Sequence, residues 1–368
     1  MKKITIFGLE RNPFNDLLFD TLAKTYFDLY VIYTCSSKGV TNNTFWEYKE
    51  PVTYKIKKLF GINRWKIFYE IFVNRDSVLI FTGYRSIYFI FAMILSYIFG
   101  VKYLVFTDTL FINRKIDFLK LLVRNFARHM AFIKSDGILT TGGPGREALI
   151  NYGCDPSKII NFPYVSSAPN FLKFSKIPLK NEKEILTKTF RKTVIFFSGQ
   201  LIYRKGVDTL IFALSLIKDK KIPFYCFIEG DGPLKNHLLE LIRNLKLTDS
   251  VSIIGFNQTA VHSRYLAISD IVVSPSRYEP WGNIVHEAML LGKVVISSNQ
   301  VKSAIDRIIN GVNGFIYTVD NVSELQEKLE LAILDIKFRK VLGVKAKKTA
   351  SSWKPEINAI NLASYLAK

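Results

Sequence analysis

The chain has 368 residues, 49% of them apolar, enough to bury two cores of ordinary size, so neither a disordered chain nor a small disulfide-stapled scaffold fits it. Lys and Arg outnumber Asp and Glu by 51 to 31, a formal charge of +20, which points to contact with polyanions: anionic lipid, a diphosphate-bearing acceptor or nucleic acid. Three widely spaced cysteines, Cys35, Cys154 and Cys226, match no zinc or disulfide pattern and imply a reducing compartment.

The N-terminus runs from basic residues straight into a short strand at 4–7 and then into the polar Glu10, Arg11 and Asn12. It lacks the apolar region of a signal peptide, so the protein is expected to stay inside the cell. Apolar stretches at 30–33, 78–81 and 103–106 alternate with helix-like segments, the rhythm of a parallel sheet with crossover helices, and Gly137-Ile-Leu-Thr-Thr adds a strand. The longest apolar run, 87–99, falls short of the ~20 residues a membrane span needs and reads as a buried helix.

Two segments of the first half read as basic helices. In 114–134, Lys120, Arg124 and Arg128 recur every four residues opposite Leu119, Leu122, Phe126 and Met130, a repulsive stripe unless something anionic faces it. Upstream, Lys55, Lys57, Lys58, Arg64 and Lys66 interleave with Ile56, Leu59, Phe60, Trp65, Ile67 and Phe68. Such a surface suits an anionic inner leaflet, with Lys57, Lys58, Trp65, Lys120, Arg124 and Arg128 as contact residues; two helices with solvated basic faces are the plain alternative. No helix-turn-helix, zinc module or RNP-like motif supports a nucleic-acid partner. The protein is thus expected in the cytoplasm, peripheral on the inner face of the membrane.

A Pro- and Lys-rich stretch at 163–192 interrupts the rhythm, and 194–198 restarts it with a second series through 224–228, 251–254, 270–274 and 294–297. This predicts an N-terminal domain at 1–165, a linker at 166–192, a second domain at 193–350 and a closing segment at 351–368.

The most informative segment is EPWGNIVHEAMLLGKVVIS, from Glu279 to Ser297, which sets Glu279 and Glu287 eight positions apart across a glycine turn and a helix start. The strand before it ends at Pro275, so Glu279, Trp281 and Gly282 fall in a loop at a strand's carboxyl end, where open α/β sheets bind ligands. With Asn283 capping a helix at 284–291, Glu287 sits one turn inside, and the backbone N–H groups of Gly282, Asn283 and Ile284 are placed to hold an anion. His286 reads as a helix-surface histidine.

The spacing resembles the Glu-x7-Glu signature of the retaining glycosyltransferases of family 4, and Gly292-Lys-Val-Val-Ile is similar to the strand that follows it there. Phe196-Phe-Ser-Gly-Gln-Leu-Ile-Tyr-Arg-Lys-Gly is similar to the family's donor-phosphate loop, and Phe227-Ile-Glu-Gly-Asp-Gly-Pro-Leu to its next strand and turn. Ile253-Ile-Gly-Phe matches the strand end that holds the nucleotide base, and Asn310-Gly-Val-Asn-Gly-Phe-Ile a typical turn. The resemblance covers about half the chain. It implies an α/β GT-B fold, two Rossmann-like domains facing across a cleft, with the acceptor on the N-terminal side, the nucleotide sugar on the C-terminal side, and 351–368 as a helix crossing back to the first domain.

The same resemblance assigns roles. Arg204 and Lys205 neutralise the departing diphosphate, Glu279 contacts hydroxyls of the transferred sugar, and Glu287 accepts from the ribose hydroxyls. Gly199, Gln200, Gly230 and Asp231 belong to the donor turns, Gly255 and Phe256 border the base, and the backbone of Gly282, Asn283 and Ile284 binds phosphate or sugar oxygens. Asp108 orients acceptor or donor sugar, and Gly8, Glu10, Arg11 and Asn12 line the acceptor side. The chain departs from the pattern at Gln200, where the family carries an arginine, at Thr107, where relatives have a histidine, and in the 299–306 loop, which holds Lys302 and Asp306 instead of a glycine pair and a glutamate. No HxH, HExxH or DxD set accompanies the motif, so no metal and no cofactor beyond the nucleotide sugar is expected.

The implied function is retaining, metal-independent transfer of a hexose-type sugar from a nucleoside-diphosphate sugar to a lipid-linked or cell-surface polysaccharide or lipopolysaccharide precursor. Two alternatives remain: a GT-B nucleotide-sugar epimerase, which would interconvert the free donor without acceptor, and a catalytically degenerate membrane-associated scaffold, which would bind nucleotide without turnover.

Overall fold

A computed structural model describes residues 1–9, 13–34, 52–59, 61–108, 118–166, 173, 176, 178, 185 and 189–368. It divides into two compact units, Met1–Val165 with Lys354–Lys368, and Ser166–Trp353.

The first unit is built on a parallel sheet of seven strands: β1 (Lys2–Gly8), β2 (Phe27–Tyr33), β3 (Lys55–Lys58), β4 (Val78–Phe81), β5 (Tyr103–Thr107), β6 (Gly137–Thr140) and β7 (Ile159–Asn161), in the order β3-β2-β1-β4-β5-β6-β7. The central strands are buried on both faces, as in β4 and β5, which is why they read as unbroken apolar runs. One face carries a core around Phe7, Phe81, Phe89 and Phe132, the other a core around Ile6, Phe19, Leu22 and Phe106. The helix Pro355–Leu366 closes that second core with Ala359, Leu362 and Leu366, and Asn358 anchors it by donating to the Pro163 carbonyl at 2.8 Å.

The second unit carries a parallel sheet of six strands: β8 (Thr193–Ser198), β9 (Phe224–Glu229), β10 (Val251–Gly255), β11 (Ile271–Ser274), β12 (Val294–Ser298) and β13 (Phe315–Tyr317), ordered β10-β9-β8-β11-β12-β13. The order reverses between β8 and β11, which pair directly. At such a switch point the loops leaving neighbouring strands diverge to opposite faces and open a crevice at the carboxyl ends. The loops that leave β8 and β11 here contain Arg204, Lys205 and Glu279.

Several expectations need correction. Residues 55–58 form an edge strand beside β2, followed by a 3-10 turn at Gly61–Lys66 and the helix Ile67–Val73, in place of one basic helix. The run 87–99 is a helix at Ile87–Ile98, but only one face is buried; Ile98 is 65% exposed and Phe99 53%. Ser166, placed in the linker, belongs to the second unit, where its N–H and hydroxyl bond His286 and Glu287. Lys302 and Asp306 lie on a short helix, Lys302–Arg307, and not in an open loop.

Candidate active site

The loop after β8 is shaped by a 3-10 turn at Tyr203–Lys205 that ends on Gly206 in the left-handed region, φ 63°. A Cβ at Gly206 would stand 2.2 Å from the Pro275 carbonyl oxygen, so only glycine lets the loop press against the chain leaving β11. Arg277 locks the two together. Its backbone N–H donates to the Arg204 carbonyl at 2.8 Å, its guanidinium donates to Tyr203 O at 2.8 Å, and the group lies 4.1 Å over the Tyr203 ring. Two carboxylates, Asp208 at 2.8 Å and Asp320 at 2.9 Å, hold the same guanidinium and raise its pKa further above its already high ordinary value.

This packing delivers both predicted cations to one carboxylate. Lys205 Nζ donates to Glu279 Oε2, and Arg204 reaches the same oxygen at 3.2 Å while also donating to the Tyr278 carbonyl at 2.8 Å. Glu279 is itself tied to the chain leaving β12: its N–H donates to Gln300 O at 3.1 Å, and its carbonyl accepts from Lys302 N at 3.2 Å. The result is a fixed cluster of two positive groups and one negative group at the switch point. Its net positive charge is preorganised for an anion with hydroxyl groups beside it.

Eight positions on, the helix Asn283–Leu290 is buried nearly all round, so its polar residues need partners. His286 is 1% exposed and not on the surface: Nδ1 accepts from Ser166 N at 3.1 Å and Nε2 donates to the Ala350 carbonyl at 3.2 Å. Burial, with the nearby Arg307 guanidinium, pushes its pKa down to about 3, so it is neutral. Glu287, 5% exposed, accepts from Ser166 Oγ at 3.2 Å and faces His262 Nε2 at 3.4 Å. The other nitrogen of His262 lies 2.5 Å from Glu229 Oε2, which also accepts from Ser198 Oγ at 2.7 Å. Burial by itself would lower the His262 pKa, but Glu229 and Glu287 outweigh it and push it up to about 10.

The two histidines therefore bend stability in opposite directions. Between about pH 3 and 6.5 the unfolded chain takes up a proton at His286 that the native state refuses, so stability falls as pH drops through this window. Between 6.5 and about 10 the native state keeps a proton on His262 that the unfolded chain releases, so stability falls as pH rises. Thermal unfolding across pH is expected to show the midpoint highest near neutrality, with the alkaline arm flattened in His262→Gln.

Residues 180–349 match the family model of glycosyl transferases group 1. This segment, just under half of the chain, is similar to that family. Among curated relatives, an uncharacterized glycosyltransferase of Methanocaldococcus jannaschii is 30% identical over 155 residues, 42% of this chain and 39% of the relative. The capsular polysaccharide biosynthesis glycosyltransferase CapM of Staphylococcus aureus is 28% identical over 185 residues, 49% of this chain and 47% of CapM. The N-acetylgalactosamine-N,N'-diacetylbacillosaminyl-diphospho-undecaprenol 4-alpha-N-acetylgalactosaminyltransferase of Campylobacter jejuni is 26% identical over 249 residues, 67% of this chain and 64% of the relative. The chain thus spans less than two thirds of each. Among solved structures, the Anabaena protein HepE in complex with UDP superposes over all of both chains with a TM-score of 0.78 at 16% identity. WaaG, a glycosyltransferase involved in lipopolysaccharide biosynthesis, gives 0.70 at 14% identity over 97% of this chain and 98% of its own. These likenesses show the α/β fold of GT-B type.

Within the group 1 segment, the remaining expected residues fall on strand ends. Gly199 donates to the Glu229 carbonyl at 3.0 Å, Gly230 to the Gly255 carbonyl at 2.9 Å, and Asp231 accepts Leu201 N at 2.9 Å, so the turns after β8, β9 and β10 are knit together. Asp231 is exposed, and its carboxyl is held below the usual range by Lys235 and the Gly232 N–H. Gln200 is exposed beside them, and Phe256 is 39% exposed after β10. The cap of the motif helix is Gly282, at φ 92°, and not Asn283. Asn283 and Ile284 occupy the first turn, whose N–H groups have no partner within the helix.

In the first unit, Gly8 ends β1 and Asp108 follows β5 as an exposed residue. Glu10, Arg11, Asn12 and Cys35 lie outside the described residues, as does the side chain of Lys120. Arg128 is 4% exposed with its guanidinium over the Tyr152 ring, so it is not a surface contact. Lys57 is paired with buried Glu70 at 2.5 Å, whereas Lys58 and Trp65 are exposed and Arg124 half-buried.

The sequence reading missed Arg277, His262 and Glu229. Each sits among other polar or glycine residues, in Ser276-Arg277-Tyr278-Glu279, Val261-His262-Ser263-Arg264 and Ile228-Glu229-Gly230-Asp231, so no local pattern singled it out. It also missed Arg307, whose guanidinium lies 4.8 Å over the Trp281 ring and 4.4 Å over that of Trp353.

Proposed function

We propose that the protein is a retaining glycosyltransferase that uses a nucleoside-diphosphate sugar, with UDP as the first nucleotide to test, since HepE is solved in complex with UDP and with UDP-glucose. The observation that carries this reading is the convergence of Lys205 and Arg204 on Glu279 at the switch point of the second sheet. In the reaction the anomeric C–O bond to the diphosphate breaks and negative charge grows on the leaving oxygen, which the two cations and the N–H groups at 282–284 stabilise. The acceptor hydroxyl attacks the same face, its proton passing to the leaving phosphate, so no protein base is needed. Glu279 accepts from hydroxyls of the transferred sugar and Glu287 from those of the ribose. The first unit takes the acceptor, and the Campylobacter and Staphylococcus relatives support a lipid-linked or capsular-type precursor.

Thermal-shift titration with UDP, GDP, ADP and TDP tests the donor site, because a ligand at 100 times its Kd stabilises by ~2.7 kcal/mol. A base-selective shift is expected, followed by acceptor-dependent release of the nucleoside diphosphate that survives EDTA. Binding without turnover over a broad acceptor panel would favour the scaffold reading.

We further propose that the first unit rests on an anionic bilayer. The 3-10 turn Gly61–Lys66 and the helices Ile67–Val73, Ile87–Ile98 and Phe118–Phe132 expose apolar side chains: Trp65 is 55% exposed, Tyr69 65% and Phe126 49%. Ring contacts join the elements, Trp65 to Tyr88 at 5.3 Å and Phe72 to Phe99 at 4.9 Å, and Lys134 sits 5.3 Å over Tyr97. Exposed aromatic side chains together with the exposed lysines Lys58, Lys66 and Lys134 fit an interface of headgroups and acyl chains. No helix among the described residues is long and apolar enough to cross a membrane. Sedimentation with vesicles is expected to show salt-sensitive binding to phosphatidylglycerol and little to phosphatidylcholine alone, weakened in Trp65→Ala; a stable dimer without vesicle binding would assign the face to a second copy.

A further inference from the structure

His262 lies outside every motif that assigns the donor site, yet it joins that site to the sheet behind it. It stands in the first turn of the helix Thr259–Ile268, with Nδ1 2.5 Å from Glu229 at the end of β9 and Nε2 3.4 Å from Glu287 on the motif helix. All three side chains are enclosed, at 14%, 4% and 7% exposure for His262, Glu229 and Glu287. Both ring nitrogens face carboxylate oxygens, and a carboxylate can only accept, so both nitrogens must carry protons. The cluster is an imidazolium between two carboxylates, with net charge −1.

The charge count explains why two carboxylates are present. With Glu287 alone, His262 would form a neutral buried pair, and Glu287 would be a weakened acceptor. Glu229 supplies the counter-charge from behind, so Glu287 is held in place and still carries a full share of negative charge toward a ligand. Glu229 does this at a cost: its Oε1 is buried with no hydrogen-bond partner among the described residues, a penalty that an apolar core residue would avoid. Ser166 Oγ donates to Glu287 Oε1 at 3.2 Å and His262 faces Oε2, so among the described residues each oxygen has one donor and a lone pair left over. Two acceptor positions on a carboxylate of fixed orientation match two vicinal hydroxyls.

We propose that His262, seated on Glu229, is the positioning residue that holds Glu287 to accept both hydroxyls of the donor's ribose. This rests on the reading of the motif segment as a nucleotide-sugar site.

The test compares binding of UDP and of 2′,3′-dideoxy-UDP by calorimetry in wild type, His262→Leu, Glu229→Gln and Glu287→Gln, with thermal unfolding run in parallel. Wild type is expected to prefer UDP by roughly tenfold or more, the scale of a hydrogen bond to a charged acceptor. His262→Leu should collapse that preference toward unity while leaving affinity for the dideoxy compound nearly unchanged. Adding Glu287→Gln to it should change little more. Glu229→Gln keeps size and shape and should give an intermediate preference, so the proposal is tested even if the leucine variant does not fold. An equal loss for both nucleotides would mean that His262 only supports the fold and would overturn the proposal. A ribose preference that survives in both variants would overturn it while leaving the donor site standing. Wild type that binds no nucleoside diphosphate would sink the donor-site reading, and this proposal with it.

Discussion

Lys205→Ala is expected to lower kcat by roughly 100-fold, the effect of about 3 kcal/mol for one lost donor to a developing oxyanion, with the fold retained. Lys205 is 17% exposed, and its ammonium shares Glu279 Oε2 with the Arg204 guanidinium. When it is removed, Arg204 still satisfies Glu279 and the Tyr278 carbonyl, so no buried charge is stranded and stability should change little. On the proposed reading, what is lost is the cation that turns toward the diphosphate once substrate hydroxyls take over Glu279. Arg204 is less free, because its Tyr278 contact and the Arg277 buckle hold it in the loop. Lys205→Arg should recover only part of the rate, since a planar fork does not reproduce a compact point charge. Steady-state release of the nucleoside diphosphate checks this, and an unchanged kcat in the alanine variant would remove Lys205 from the chemistry.

Gly230→Ala is expected to destabilise the second unit by about 3 kcal/mol or more, seen as a drop in Tm on the order of 10 °C. Gly230 has φ 141°, and a Cβ there would lie 1.8 Å from the Gly199 carbonyl oxygen. No rotamer relieves a clash with backbone. The strand-end turns would have to separate, breaking the Gly199–Glu229 and Gly230–Gly255 hydrogen bonds, each of which fixes part of the proposed donor loop. The variant should therefore lose nucleotide binding as well as stability. Gly255, by contrast, has open space around its Cβ direction, and alanine there meets only the strain of φ 74°. Its smaller loss separates the close approach from the dihedral.

Most of the parallel strands were legible because they are buried on both faces and write themselves as apolar runs between turns. The edges were not. Lys55, Lys57 and Lys58 in β3 look like a basic helix next to Trp65 and Phe68, and only pairing with β2 makes them a strand; lysines on an exposed edge guard it against other chains. The two short strands β7 and β13, three residues each, carry too little pattern to register. The helix at 87–98 is apolar on all sides, so its composition pointed to full burial, and only packing shows which face is left uncovered.

The same division runs through the candidate site. By itself the sequence determined the Glu279–Glu287 spacing, the glycine turns and the cations after β8, because each is a local property: a strand end, a left-handed glycine and a helix start place neighbouring residues without help from elsewhere. The tertiary structure alone decided that Lys205 and Arg204 meet Glu279, 74 and 75 positions away, that Arg277 binds Asp320 across 43, and that His262 bridges Glu229 and Glu287. It also decided that His286 is neutral and His262 charged. A side chain's protonation follows the charges folded around it, and in this chain those charges come from strands and helices far apart in sequence.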